Sequence, residues 1–124
     1  MGSFTILFHE TIMDLPQFDV HTALEESHWW FTARRALLAK ILTRLMPSDG
    51  TIVDVGCGTG ANTAAFAKAY SCIGIDPIPE AIHSAQTRFP DVKFRTGYAP
   101  KDCPEIKTAD VVLLLDVLEH IEDD

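Results

Sequence analysis

From Thr51 onward the chain changes rhythm: short apolar runs alternate with segments of helical pattern, and few folds accommodate that alternation. Four runs have the length and composition of strands, at Thr51–Val55, 72–75, 92–95 and Val111–Leu115. Between them lie an alanine-rich stretch over 61–70, a helical pattern over Pro79–Arg88, and a polar connection over 101–108 with no helical pattern. Pro79 suits a first helical turn, where its missing N–H costs nothing. Strand, crossover and strand repeated in this way predict an α/β chain built on a mostly parallel sheet with helices on both faces. VVLLL at Val111–Leu115 has no polar alternation, so it is expected inside the sheet, buried on both faces and flanked by neighbours.

The first part of the chain reads differently. Residues 1–20 hold the run FTILF at Phe4–Phe8, of strand propensity, and then the irregular Asp14-Leu15-Pro16-Gln17; they form an N-terminal extension without a firm pattern. From about His21 the pattern is helical, with Leu37, Leu38, Ile41, Leu42 and Leu45 in an apolar stripe that stops before Pro47. Trp29, Trp30 and Phe31 open this helix, and core packing is preferred for them over a lid. Ser48-Asp49-Gly50 is a turn, and residues 21–124 are taken as one domain, since 124 residues are too few for two.

Charge and composition narrow the partners. Eighteen acidic residues against ten basic ones leave a formal charge of −8 and no basic field for phosphates, so nucleic acid is not expected as a partner. No apolar run approaches the roughly 20 residues that cross a bilayer, and the N-terminus lacks a basic segment followed by an apolar one, so a soluble, cytoplasmic chain is expected. Cys57, Cys72 and Cys103 form no CxxC pair and the five histidines no HxxxH pair. Reduced thiols and no metal site follow.

The sharpest motif is Val53-Asp54-Val55-Gly56-Cys57-Gly58-Thr59-Gly60, an acid near the end of a strand followed by glycines at alternate positions. Glycines there admit backbone conformations and a close ligand approach that a Cβ obstructs. A tight turn that binds nothing is the plain alternative, made less attractive by the strand before, the helix after and the acid at 54. Dinucleotide loops favour G-x-G-x-x-G, whereas this one is G-x-G-x-G, and Asp54 would repel a pyrophosphate while favouring an ammonium or sulfonium. Ile73-Gly74-Ile75-Asp76-Pro77 places a second acid at the carboxyl end of the next strand, where it can accept both hydroxyl hydrogens of a ribose. The alternative for Asp76 is a role in starting the following helix.

Together these residues resemble the class I S-adenosylmethionine-dependent methyltransferases. VDVGCGTG at 53–60 matches the glycine-loop motif, GIDP at 74–77 the ribose motif, and ADVVLLLDVLEHI at 109–121 the fourth strand. Ser27-His28-Trp29-Trp30-Phe31 with Arg34 and Arg35 is similar to a helix that precedes the fold in one branch. The resemblance implies a Rossmann-like sheet, S-adenosylmethionine as cofactor and S-adenosylhomocysteine as product. It further implies that Asp54, Gly56, Cys57, Gly58 and Gly60 line the methionine half, that Asp76 and Pro77 hold the ribose, and that Ile78 packs on the adenine. Asp116 and Val117 would lie under the sulfonium region, and Arg35 would reach the cofactor carboxylate or else be a solvated helix charge.

One position departs from the family. Where an acid usually accepts from the adenine amino group, this chain has Tyr98 and Ala99 after Gly97, leaving Tyr98 or Asp102 as candidates. His120 is a candidate general base and Asp116, Glu119 and His120 resemble a metal grouping of some relatives, but a dipole role for Glu119 at a helix start is preferred. The family resembles a seven-stranded sheet, so a chain stopping at Asp124 looks incomplete, truncated after the fourth strand. Its edge would invite cover by Phe4–Phe8 or by a second copy in a homodimer. The expected activity is methyl transfer to a small-molecule acceptor, with a non-catalytic cofactor-binding or interaction module as the alternative.

Overall fold

The computed structural model describes residues 4–8 and 20–115, with side chains from Trp29 onward. The described chain forms two compact units: a sheet unit of β1 and the residues from Met46 on, and a helical unit. The helical unit is α1 (Val20–Leu45), 26 residues long, which ends with Arg44 in its last turn just before Met46 and Pro47. Within it the Arg34 guanidinium lies 5.0 Å from the centre of the Phe31 ring one turn back. Trp29 is 69% exposed, so the aromatic cluster is not wholly core, and Leu37 and Leu45 are exposed too, which narrows the expected apolar stripe.

Among the described residues the sheet unit has five strands, β1 (Phe4–Phe8), β2 (Thr51–Val55), β3 (Ser71–Asp76), β4 (Lys93–Thr96) and β5 (Val111–Leu115). All the pairings are parallel, in the order β1-β5-β2-β3-β4. Two crossovers, through α2 (Ala61–Phe66) and α3 (Pro79–Arg88), carry the chain from β2 outward to β4. It then returns to the far side of β2 as β5, so the strand order reverses between β2 and β5, the position where open α/β sheets leave a crevice at their carboxyl ends.

β5 is buried along nearly its whole length, as its uninterrupted apolar run requires, with β2 on one side and β1 on the other. The register Phe4↔Val111 to Phe8↔Leu115 makes the segment first read as an extension a strand of the sheet. Of the two covers expected for the edge of β5, Phe4–Phe8 or a second copy, the chain's own Phe4–Phe8 takes that place.

Alternation along the strands separates two cores. Val53, Ile75 and Val112 pack with Cys103 and Ala109 on one face, where Ile106 of a short 3₁₀ turn (Pro104–Lys107) joins them. The connection expected to carry no helix thus covers this face with a single turn. On the opposite face Phe94 of β4 packs against Ile82 and Ala85 of α3. Gly74 leaves room there: a Cβ on it would lie 2.8 Å from both the Cys57 Sγ and Phe94.

Candidate functional site

Every feature of the site arises where β2, β3 and β4 end. Beyond Val55 the chain turns through Gly56, Gly58 and Gly60, with φ of 72°, 57° and 87°. L-residues reach that region only at a cost of about 1–2 kcal/mol each. Two bonds tie the start of the loop to β3: the Gly56 N–H donates to the Ile75 carbonyl at 2.7 Å and the Cys57 N–H to the same oxygen at 3.1 Å. Gly60 is closely packed, since a Cβ there would stand 2.5 Å from the tip of the Phe94 ring and 3.0 Å from the Ala85 Cβ. Gly58 is the reverse case, for an added Cβ meets no atom within 4 Å. The middle glycine therefore faces open space.

Asp76 closes the site from the β3 side. Its Oδ2 accepts from the Gly58 N–H at 2.9 Å and its Oδ1 from the Ile78 N–H at 3.0 Å, so one carboxylate fastens the glycine loop to the entry of α3. It is buried, with 7% of its surface exposed. A carboxylate has about four lone-pair positions, so two remain for further donors. The Asp76 carbonyl accepts from the Gly97 N–H at 3.0 Å, joining the tips of β3 and β4.

Asp54 lies deeper, 3% exposed, on the face that α2 covers. Its Oδ2 accepts from the Thr63 hydroxyl at 2.7 Å. Its carboxylate is thus buried beneath α2 rather than presented at the surface. That charge registers on Cys57, whose thiol is pushed up to about 12 by burial first, then by Asp54 and Asp76. The Cys57 Sγ lies over Gly74 in the core, so only the backbone of this residue faces the loop's outer side.

Pro77 and Ile78, directly after β3, are exposed, as is Tyr98 after β4, Ile78 by 55% and Tyr98 by 68%. Ala99 instead packs on the sheet core. Asp102 folds back on Tyr98: its Oδ2 accepts from the Tyr98 N–H at 2.9 Å, and its own N–H donates to the Tyr98 carbonyl at 2.7 Å. Arg95 anchors this loop through its Nη1, which donates to the Asp102 carbonyl at 3.0 Å, and through a two-bond pair with Glu105 at 2.6 and 2.8 Å.

Of the residues expected at the site, Asp54, Gly56, Cys57, Gly58, Gly60, Asp76, Pro77, Ile78, Tyr98 and Ala99 all belong to these three strand ends. Arg35 belongs to α1, in the other unit. Asp116, Val117, Glu119 and His120 lie outside the described residues. Among the described residues, no group of three His, Cys, Asp or Glu is placed to hold a metal ion, and no helix is long and apolar enough to cross a membrane. Sequence reasoning did not anticipate Thr63 as the partner of Asp54, nor the Arg95–Glu105 pair. Opposite charges at 95 and 105 are the one visible signal, and no local spacing rule connects residues ten apart.

The family model for the methyltransferase domain matches residues 29–123. The chain belongs to the class I S-adenosylmethionine-dependent methyltransferases. A ubiquinone biosynthesis O-methyltransferase of Azorhizobium caulinodans is 35% identical over 85 residues, 64% of this chain and 34% of the relative. The chain spans about a third of the length of the curated relatives it matches. Among solved structures, the PH0226 protein of Pyrococcus horikoshii OT3 superposes with a TM-score of 0.64 at 27% identity, over 74% of this chain and 46% of its own. An RNA methyltransferase of Salinibacter ruber, solved with S-adenosylhomocysteine, shares the fold with a TM-score of 0.50 at 22% identity, over 63% of this chain and 56% of its own.

Proposed function

We propose that the crevice at the ends of β2, β3 and β4 binds S-adenosylmethionine, and that the protein transfers its methyl group to a small-molecule acceptor. The observation that carries this reading is the pairing of open space over Gly58 with the Asp76 carboxylate, which grips the loop and keeps two lone-pair positions for a sugar. A nucleoside laid against Gly58 would present its ribose hydroxyls to Asp76 and its base to the apolar surfaces of Ile78 and Tyr98. Hydrogen bonds to a charged acceptor contribute roughly 1.5–3 kcal/mol each.

The charge of the donor fits as well. Two carboxylates, Asp54 and Asp76, flank the loop, and their charge favours an ammonium and a sulfonium over a pyrophosphate. The bound cofactor supplies the activated methyl. The chain's own residues position it and keep its positive end near buried carboxylates, and an in-line transfer asks for no covalent intermediate with the protein. A small acceptor is supported by the net charge of −8, which opposes a polyanion, and by the name of the ubiquinone-biosynthesis relative.

Calorimetry with S-adenosylmethionine, S-adenosylhomocysteine and a nicotinamide dinucleotide tests the reading. Binding of both adenosyl ligands is expected, weakened at least tenfold by Asp76→Ala, a loss of about 1.4 kcal/mol or more. Binding of the dinucleotide alone would overturn it.

A further inference from the structure

The glycine loop is held at both ends. The Gly56 and Cys57 N–H groups donate to the Ile75 carbonyl, the Gly58 N–H donates to Asp76 Oδ2 at 2.9 Å, and Gly60 is wedged against Phe94 and Ala85. Between Gly58 and Gly60 stands Thr59, exposed and carrying the only side chain of that stretch. Glycines at φ 57° and 87° on its two sides have more backbone freedom than any other residue, so this is where the loop most readily leaves the shape that keeps Gly58 open.

Among the described residues, one side chain is hydrogen-bonded to Thr59. Arg88, in the last turn of α3, donates through Nη1 to the Thr59 Oγ1 at 3.2 Å, across 29 positions of sequence. Its guanidinium lies 5.0 Å from the centre of the Phe89 ring, and Phe89 packs against the core of Ile82, Ala85 and Phe94 that also receives Gly60. A cation in a last helical turn favours the helix dipole wherever its side chain points. The bond to Thr59 and the contact with the Phe89 ring give this one a direction. We propose that Arg88 is a positioning residue for the nucleoside site: it holds Thr59 from α3 and so keeps residues 58–60 in the conformation that leaves Gly58 open. This rests on the nucleoside reading above.

Arg88 acts here through Thr59 and needs no contact with the ligand. Once the tether is cut, the three residues exchange among backbone states, and only the fraction in the open state binds, so the apparent affinity falls by that fraction. The bias that a single hydrogen bond supplies corresponds to about three- to tenfold in affinity. Arg88→Met keeps an apolar stem over Phe89 and removes the donor. Thr59→Val keeps the branched shape and removes the acceptor, whereas Thr59→Ser keeps the hydroxyl.

Calorimetry with S-adenosylhomocysteine on the full chain tests this role, together with amide exchange in the unliganded protein. Arg88→Met and Thr59→Val are each expected to weaken binding about three- to tenfold, and Thr59→Ser to bind like the native chain. The double variant Arg88→Met/Thr59→Val should bind no more weakly than either single one, since both remove the same bond. The Gly58 and Gly60 N–H groups, bonded to Asp76 and to the Cys57 carbonyl, should exchange faster in the two weakened variants, while the urea midpoint of Thr59→Val stays native. A residue that merely stabilised the fold would shift the midpoint instead. Native affinity in Arg88→Met or Thr59→Val, losses that add in the double variant, or unchanged exchange at the two amides would overturn the role of Arg88 and leave the nucleoside site standing. A native protein that binds no adenosyl ligand would overturn both.

Discussion

Two glycines only two residues apart should separate folding from binding: Gly60→Ala should damage the fold and Gly58→Ala the site. At Gly60 the new methyl would stand 2.5 and 2.7 Å from the Phe94 ring and 3.0 Å from the Ala85 Cβ. Neither neighbour has room to retreat, since Phe94 is 9% and Ala85 0% exposed. To the overpacking, about 1–3 kcal/mol, is added the left-handed backbone at φ 87°, about 1–2 kcal/mol, for a total of about 2–5 kcal/mol. A small domain is stable by only about 5–15 kcal/mol, so a substantial part of the margin is at stake. At Gly58 the backbone cost is of the same kind, about 1–2 kcal/mol at φ 57°, but the methyl enters empty space. Urea unfolding followed by circular dichroism should therefore show a loss for Gly60→Ala that exceeds the loss for Gly58→Ala by about 1–3 kcal/mol. Calorimetry should show the reverse order of consequence, with Gly58→Ala folded yet deprived of S-adenosylhomocysteine binding, because its methyl occupies the space the nucleoside needs. Equal destabilisation would refute the packing argument, and native-like binding by a folded Gly58→Ala would refute the cradle.

Three further outcomes follow from individual contacts. Thr63→Val removes the hydroxyl that donates at 2.7 Å to the buried Asp54 and should cost about 1–3 kcal/mol in urea unfolding, an unchanged midpoint counting against this bond. Arg95 holds the Glu105 carboxyl down at about 2, below its ordinary 4.5, so the stabilisation from this pair is present above 4.5 and is lost as the pH falls toward 2. Glu105→Gln should flatten that stretch of the stability–pH curve, and a curve of unaltered slope would remove the pair from the account. The Cys57 and Cys72 thiols, pushed up to about 12 chiefly by burial, give stability that is complete below the ordinary 9.0 and declines as the pH rises toward 12. At pH near 8 Cys72 and Cys103 should react slowly with a thiol reagent in the native protein and be released by urea, so their rapid native reaction would contradict their burial.

Elements governed by local signals were legible in the sequence. Thr51–Val55, Pro79–Arg88 and Val111–Leu115 stand where periodicity, the leading proline and the apolar run place them. Where a distant partner decides, the pattern was silent or misleading. The alanine-rich stretch 61–70 has helix propensity, yet α2 ends at Phe66 and the chain continues in turns, with the Tyr70 N–H donating to the Phe66 carbonyl at 3.0 Å, before the Ser71 N–H donates to the Gly50 carbonyl at 3.0 Å as β3 begins. Strand propensity marked Phe4–Phe8 but carried no information about its partner, since pairing with β5 joins residues more than a hundred positions apart.

The same division runs through the site. Glycine at 56, 58 and 60 and an acid at 76 announce themselves, because a loop that must leave a strand and admit a ligand has few other solutions. What Asp54 and Asp102 do is set by partners that no motif names, a hydroxyl nine residues on and an amide four residues back. The Asp54 carboxylate, on the central strand β2, accepts from the Thr63 hydroxyl of α2, whereas that of Asp102 accepts from the Tyr98 N–H and closes the loop that follows β4. A carboxylate in this crevice is therefore to be read by which of its oxygens the fold has already used.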